Sequence, residues 1–134
     1  MNIWIYSARG FLVTLLLVSS NKVFAEVHIG AVETSFQPNT LSQQVPRRSS
    51  LSAMLRMQLA GQGMLRARWM IAIPEDPQTN HLLQAIKLTV NAAGWKEIAS
   101  PPLPTAKTGQ YRLSVVIDEP YASPQIEDVT YQVE

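Results

Sequence analysis

The sequence predicts an all-β protein, an antiparallel sandwich of about seven strands, and three observations lead there. First, apolar residues alternate with polar ones over long stretches, and period-two alternation marks a half-buried strand because successive side chains point to opposite faces. Second, Gly and Pro signals recur at strand-length intervals through the chain, which contains six Gly and nine Pro. Third, there is no repeat and no low-complexity tract to suggest another architecture.

The clearest alternation lies in Leu51–Ile73, LSAMLRMQLAGQGMLRARWMIAI. Leu51, Ala53, Leu55, Met57 and Leu59 share one face, opposite Ser52, Met54, Arg56 and Gln58. After the turn Ala60-Gly61-Gln62-Gly63, Leu65, Ala67, Trp69, Ile71 and Ile73 alternate with Met64, Arg66, Arg68, Met70 and Ala72. Two glycines give this turn access to positive φ. A connection this short commonly joins neighbours in one sheet, but the glycines also permit a crossing between sheets, so the sheet membership of Leu51–Leu59 is open.

The first 25 residues have the pattern of a secretory signal. A short apolar core, Phe11–Val18, follows Arg9, and the segment ends in Val23-Phe24-Ala25. The core is far shorter than the roughly 20 residues that span a bilayer. The alternative is an uncleaved N-terminal anchor, given Ile3, Trp4, Ile5 and Tyr6 upstream. Cleavage after Ala25 leaves residues 26–134 as one β-sandwich domain, and localisation is expected to be periplasmic or secreted. It also removes Arg9 and Lys22, so the excess of 11 basic over 10 acidic residues disappears. A nearly neutral domain is not expected to bind nucleic acid. With no cysteine, packing alone must hold the fold, and thiol catalysis and cysteine metal sites are excluded.

The remaining elements follow in order. Glu26–Phe36 reads as a first strand with Val32, Thr34 and Phe36 inward, broken by Pro38-Asn39. Ser42–Ser50 is polar, contains Pro46 and reads as a connection. Pro74-Glu75-Asp76-Pro77 is turn chemistry. Thr79–Val90 is ambiguous. Its first half fits a helical turn, its β-branched end fits a strand, and the preferred reading is a short turn or helix leading into a strand from about Ala85. Asn91–Gly94 reads as a hairpin loop and Trp95–Ala99 as the returning strand. Pro101, Pro102 and Pro104 are incompatible with a central ladder, so SPPLPT runs along an edge or crosses between sheets. Gly109–Asp118 is a strand with Tyr111, Leu113, Val115 and Ile117 on one face and Arg112, Ser114, Val116 and Asp118 on the other. Ile126–Val133 closes the chain with Val129, Tyr131 and Val133 in one row.

Trp69 on an inward row, together with Thr108-Gly109-Gln110-Tyr111-Arg112-Leu113, resembles the core of immunoglobulin-like and fibronectin-III-like modules of bacterial envelope proteins. The run is similar to Gly-x-Tyr-x-Cys, with Leu113 in place of the cysteine. The resemblance implies that Tyr111 forms a tyrosine corner and Trp69 is the core indole. It also implies that one of Leu55, Met57 and Leu59 replaces the other half of the disulfide.

The chemistry-bearing residues are sparse. His28 and His81 have no carboxylate at a telling spacing. The acidic pairs Glu75-Asp76, Asp118-Glu119 and Glu127-Asp128 read as loop solvation. No Gly-x-Ser-x-Gly and no phosphate-cradling glycine loop is present. No enzyme activity, catalytic residue, metal or cofactor is therefore expected. The outward residues Met64, Arg66, Arg68, Met70 and Arg112 instead suggest binding to an envelope or surface protein, since Met and Arg are enriched at protein interfaces. If their strands are neighbours, three guanidinium groups gather on one face. Two other functions fit the same architecture. A carbohydrate-binding module would rely on Trp95 and Tyr121, and a surface-fibre subunit would assemble through edge strands.

Overall fold

A computed structural model describes residues 26–36, 40–120 and 125–134. The expected signal segment 1–25, the Pro38-Asn39 break and Tyr121 lie outside the described residues. Those residues form eight strands and no helix: β1 (His28–Phe36), β2 (Ser42–Val45), β3 (Ala53–Ala60), β4 (Gly63–Ile73), β5 (Asp76–Val90), β6 (Gly94–Ala99), β7 (Gly109–Glu119) and β8 (Val129–Val133). They make two sheets, one ordered β1-β3-β6 and the other β2-β8-β7-β4-β5. Every pairing is antiparallel except β2 with β8, which is parallel.

The Gly61 turn carries β3 into one sheet and β4 into the other, which settles the open question of sheet membership. Gly61 has φ 86°, and a Cβ there would overlap the backbone carbonyl of Glu26, so this arch is built for glycine. The two predicted inward rows then face each other. Leu55, Met57, Leu65, Trp69 and Leu113 are fully buried between the sheets, with Ala53, Leu59, Ala67 and Ile71 beside them.

Two implied features of the immunoglobulin-like core are present. The Tyr111 hydroxyl donates to the Lys107 backbone carbonyl at 2.9 Å, four residues upstream, which is the tyrosine corner. Trp69 is completely buried. Leu113, in the place of a disulfide cysteine, is also completely buried, as are Leu55 and Met57 on β3. Aromatic packing extends this core: Tyr131 on β8 stacks on Tyr111 with ring centroids 4.7 Å apart and meets Phe36 edge-on at 6.0 Å.

Several sequence expectations need correction. Ser42–Val45 is a strand, not part of a connection, and it accounts for eight strands instead of about seven. Only Val45 of its four residues is buried, because β2 is an edge strand with one side chain reaching the core, so no apolar alternation marks it. Thr79–Val90 contains no helix; one strand runs from Asp76 to Val90. Its ambiguity has a cause in the ladder: Trp69 pairs with Gln84 and Met70 with Leu82, so Leu83 is an extra, bulged residue that breaks the period of two. Pro77 is tolerated inside this strand because β5 is at the sheet edge. Asn91–Gly94 is not a hairpin loop, since β5 and β6 belong to different sheets. The last strand starts at Val129 and not Ile126. The proline segment after β6 does cross between sheets, held on the way by Ser100 N–H to Ala53 C=O and Leu103 N–H to Leu51 C=O.

Candidate functional site

Because β4 lies between β5 and β7, the outward side chains of these three strands form a continuous surface whose rows can be read from the register. One row is Lys87–Arg66–Glu119, the next Ala85–Arg68–Val116, and the next Leu82–Met70–Ser114, each written in the order β5, β4, β7. A row further on, Ala72 faces Arg112. All five residues selected from the sequence therefore lie on one sheet face, with Met64 at one end and Arg112 towards the other. Arg66 and Arg68 occupy successive rows. Arg112 pairs six residues along from Arg66, about 20 Å at the rise of a strand, so the three guanidinium groups are spread along the face and do not gather.

Each of these arginines has a partner. Arg66 Nε is 2.8 Å from Glu119 Oε1. Arg68 donates through Nε and Nη2 to both carboxylate oxygens of Asp118, at 2.9 Å each. The hydrogen bonds from Arg68 to Asp118, followed by the charge of that carboxylate, raise the Arg68 guanidinium above its ordinary pKa. Arg112 Nη2 donates to Asn80 Oδ1 at 3.0 Å, and its Nε is 3.6 Å from Asp128 Oδ2. A register shift explains how consecutive acids serve neighbouring rows. Arg66 pairs with Glu119 and Ala67 with Ile117, so Asp118 is a bulged residue whose carboxylate turns to Arg68 on the same face as Glu119.

Each of the acidic pairs read as loop solvation thus has at least one member beside a cation. Besides Asp118, Glu119 and Asp128, Glu75 lies 3.1 Å from Lys107. The Glu75 carboxyl is held below the usual carboxylate range, first by a backbone hydrogen bond and then by Lys107. His81 Nε2 is 3.6 Å from Asp76 Oδ2, and His28 is exposed. Among the described residues, no three His, Asp or Glu side chains come together in a metal-binding group.

Apolar side chains share the face with these charged groups, Lys87 and Ser114. Leu82 is 60% exposed and Val116 39%, with Met70 half-buried beside them, and Met64 at one end is 36% exposed. Leu82 was missed from sequence because it sits in the bulged stretch where the pattern fails. Val116 was legible as an outward β-branched residue, and an apolar side chain on a solvated row was the signal. On the opposite sheet, Trp95 is also exposed, but Arg56 lies 4.9 Å above its ring, so one face of the indole is already occupied.

No protein-family model matches the sequence, and no curated protein matches it. Among solved structures the chain is similar to the CARDB domain of a Pyrococcus furiosus protein, crystallised in complex with di-metal ions. The identity is 12%, the match covers 82% of this chain and 96% of that one, and the TM-score is 0.56. It is also similar to part of a β-glucosidase from Listeria innocua in complex with isofagomine. There the identity is 12%, coverage is 80% of this chain and 16% of the enzyme, and the TM-score is 0.55. These likenesses show the fold. The described residues form an immunoglobulin-like β-sandwich module.

Proposed function

We propose that the chain is an exported, non-enzymatic module that binds a protein of the bacterial envelope through the outer face of β5, β4 and β7. The observation that carries this reading is the exposed Leu82 and Val116 beside Met70, with exposed Met64 at one end of the face, interleaved with arginines already held by acids. Apolar surface left in water is unfavourable, and its coverage by a partner is a standard source of association energy. Arg66, Arg68 and Arg112 keep donors available beyond their present bonds, because a guanidinium carries five N–H groups. Since Asp118, Glu119 and Asp128 share the surface, it suits a partner of mixed charge better than a purely acidic one.

Export is tested by sequencing the N terminus of the protein recovered from the envelope fraction. The expected first residue is Glu26, and a chain beginning at Met1 would overturn cleavage. Binding is tested by affinity capture from that fraction with the parent chain and with Leu82→Asp. The substitution is at an exposed position, so thermal stability should change by no more than about 0.5 kcal/mol. Capture of a specific protein by the parent, lost in the variant, is the expected result. Equal capture by a folded Leu82→Asp protein would transfer binding to an edge strand or a loop.

A further inference from the structure

We propose that this face pairs with the same face of a second copy, in a symmetric dimer whose two-fold axis runs along β4. The inference rests on the reading of the face as a docking surface and names its partner. Rotation by 180° about an axis parallel to β4, lying between the two faces, leaves each row at its own height. It exchanges the strands on either side, so β5 of one copy lies over β7 of the other, and every row meets itself reversed.

Three rows are complementary under this single operation. In the first, Lys87 comes over Glu119 of the mate, and Glu119 over Lys87 of the mate. Lys87 pairs with no carboxylate among the described residues, while Glu119 is more than half exposed and its ion pair is with Arg66, so each has capacity for the new contact. In the second, small Ala85 meets the projecting Val116. In the third, Leu82, the most exposed of the large apolar side chains among the described residues at 60%, meets Ser114, which is only 9% exposed although it lies on an outward row. A large, exposed side chain at one end of the row therefore faces a small, covered one at the other. The Ser114 hydroxyl is buried there without a hydrogen-bond partner among the described residues.

On the axis Met70 meets Met70, Arg68 meets Arg68 and Arg66 meets Arg66. Each Arg68 arrives with its charge matched by a bidentate Asp118, and each Arg66 with Glu119, which then lies between its own Arg66 and Lys87 of the mate. Met adapts its shape at such a self-contact, and guanidinium planes can stack. Two twisted sheets facing each other with aligned strands is an ordinary packing class. Opposite charges at the ends of one row and unequal sizes at the ends of the next two thus agree on one axis.

Three strands bury less than a standard interface, so the dimer should be weak, with Kd between about 10 µM and 1 mM. Sedimentation equilibrium on the exported chain, purified as the cell processes it, reads this directly. Lys87→Glu sets a second carboxylate against Glu119 at both ends of the dimer, and Glu119→Lys sets a second ammonium group against Lys87. Each variant alone should weaken association about tenfold or more. An equimolar mixture of the two should recover the parental Kd within about threefold, because both end contacts in the mixed dimer are then between opposite charges. Circular dichroism on each variant establishes that it is folded.

A parent chain that stays monomeric at 1 mM, or a mixture that fails to recover, overturns the proposed dimer. If the monomeric parent still captures an envelope protein through Leu82, the docking reading survives and this inference does not. If the parent dimerises, the mixture recovers and no other protein is captured, the second copy is the partner.

Discussion

Replacing Trp69 with alanine is expected to lower the free energy of unfolding by about 3–5 kcal/mol, against a total of about 5–15 kcal/mol for a domain of this kind. Trp69 is fully buried on the inner row of β4, with Gln84 of β5 and Val115 of β7 on either side in the ladder. Truncation removes the largest of the fully buried side chains and leaves a cavity that two close-packed sheets fill only in part. The indole acts by packing and not by hydrogen bonding, because its Nε1–H is buried without a partner among the described residues. Trp69→Phe should therefore cost much less than Trp69→Ala, since it keeps most of the ring and removes an unsatisfied donor. Chemical denaturation followed by circular dichroism measures both. A Trp69→Ala midpoint equal to that of the parent would show that the inner row of β4 is not the core.

How much of this was legible depends on where a strand sits in its sheet. The rows on β3, β4 and β7 were readable because each of these strands has neighbours on both sides and one face against the other sheet. Leu55, Trp69 and Leu113 consequently obey a strict period of two. Edge strands follow weaker rules. In β2, Gln43 and Gln44 bring no apolar side chain to the ladder, and the pairing is supplied by β8, far away in sequence. In β5 the bulged Leu83 shifts the alternation midway, and the resulting cluster of Leu82 and Leu83 imitates a helical turn.

The candidate face divides in the same way. Met64, Arg66, Arg68, Met70 and Arg112 could be placed on it from alternation alone, given that β4 and β7 are neighbours. What sequence could not supply was the second half of each ion pair. Asp118 reaches Arg68 only because a bulge turns two consecutive acids to one side, and a bulge depends on the partner strand. Nor could alternation reveal that the two edges of the face are opposites, because Lys87 and Glu119 are brought to the same row by two separate registers.

Tyr131→Ala is expected to cost about 3–5 kcal/mol, comparable with the loss of Trp69. The side chain joins three parts of the core. It stacks on Tyr111 with planes 2° apart, meets Phe36 edge-on at 85°, and donates its hydroxyl to the Pro104 carbonyl at 2.7 Å. These contacts tie β8 to β1, to β7 and to the proline segment that crosses between the sheets. Tyr131→Phe keeps both ring contacts and removes only the hydrogen bond, so a cost of about 1 kcal/mol is expected near neutral pH. The phenol adds a pH dependence that separates the two contributions. Burial, and then the neighbouring Tyr111, push its pKa well above the ordinary tyrosine value. A group whose folded pKa is raised gives its full stability below the unfolded pKa and loses it as pH rises above that value. Stability of the parent should therefore begin to fall above about pH 10, where tyrosine ionises in the unfolded chain. Tyr131→Phe should fall less steeply over the same range, the remainder coming from Tyr111, whose phenol is also raised by burial. Identical alkaline slopes for parent and Tyr131→Phe would mean that the Tyr131 hydroxyl is not sealed in the core.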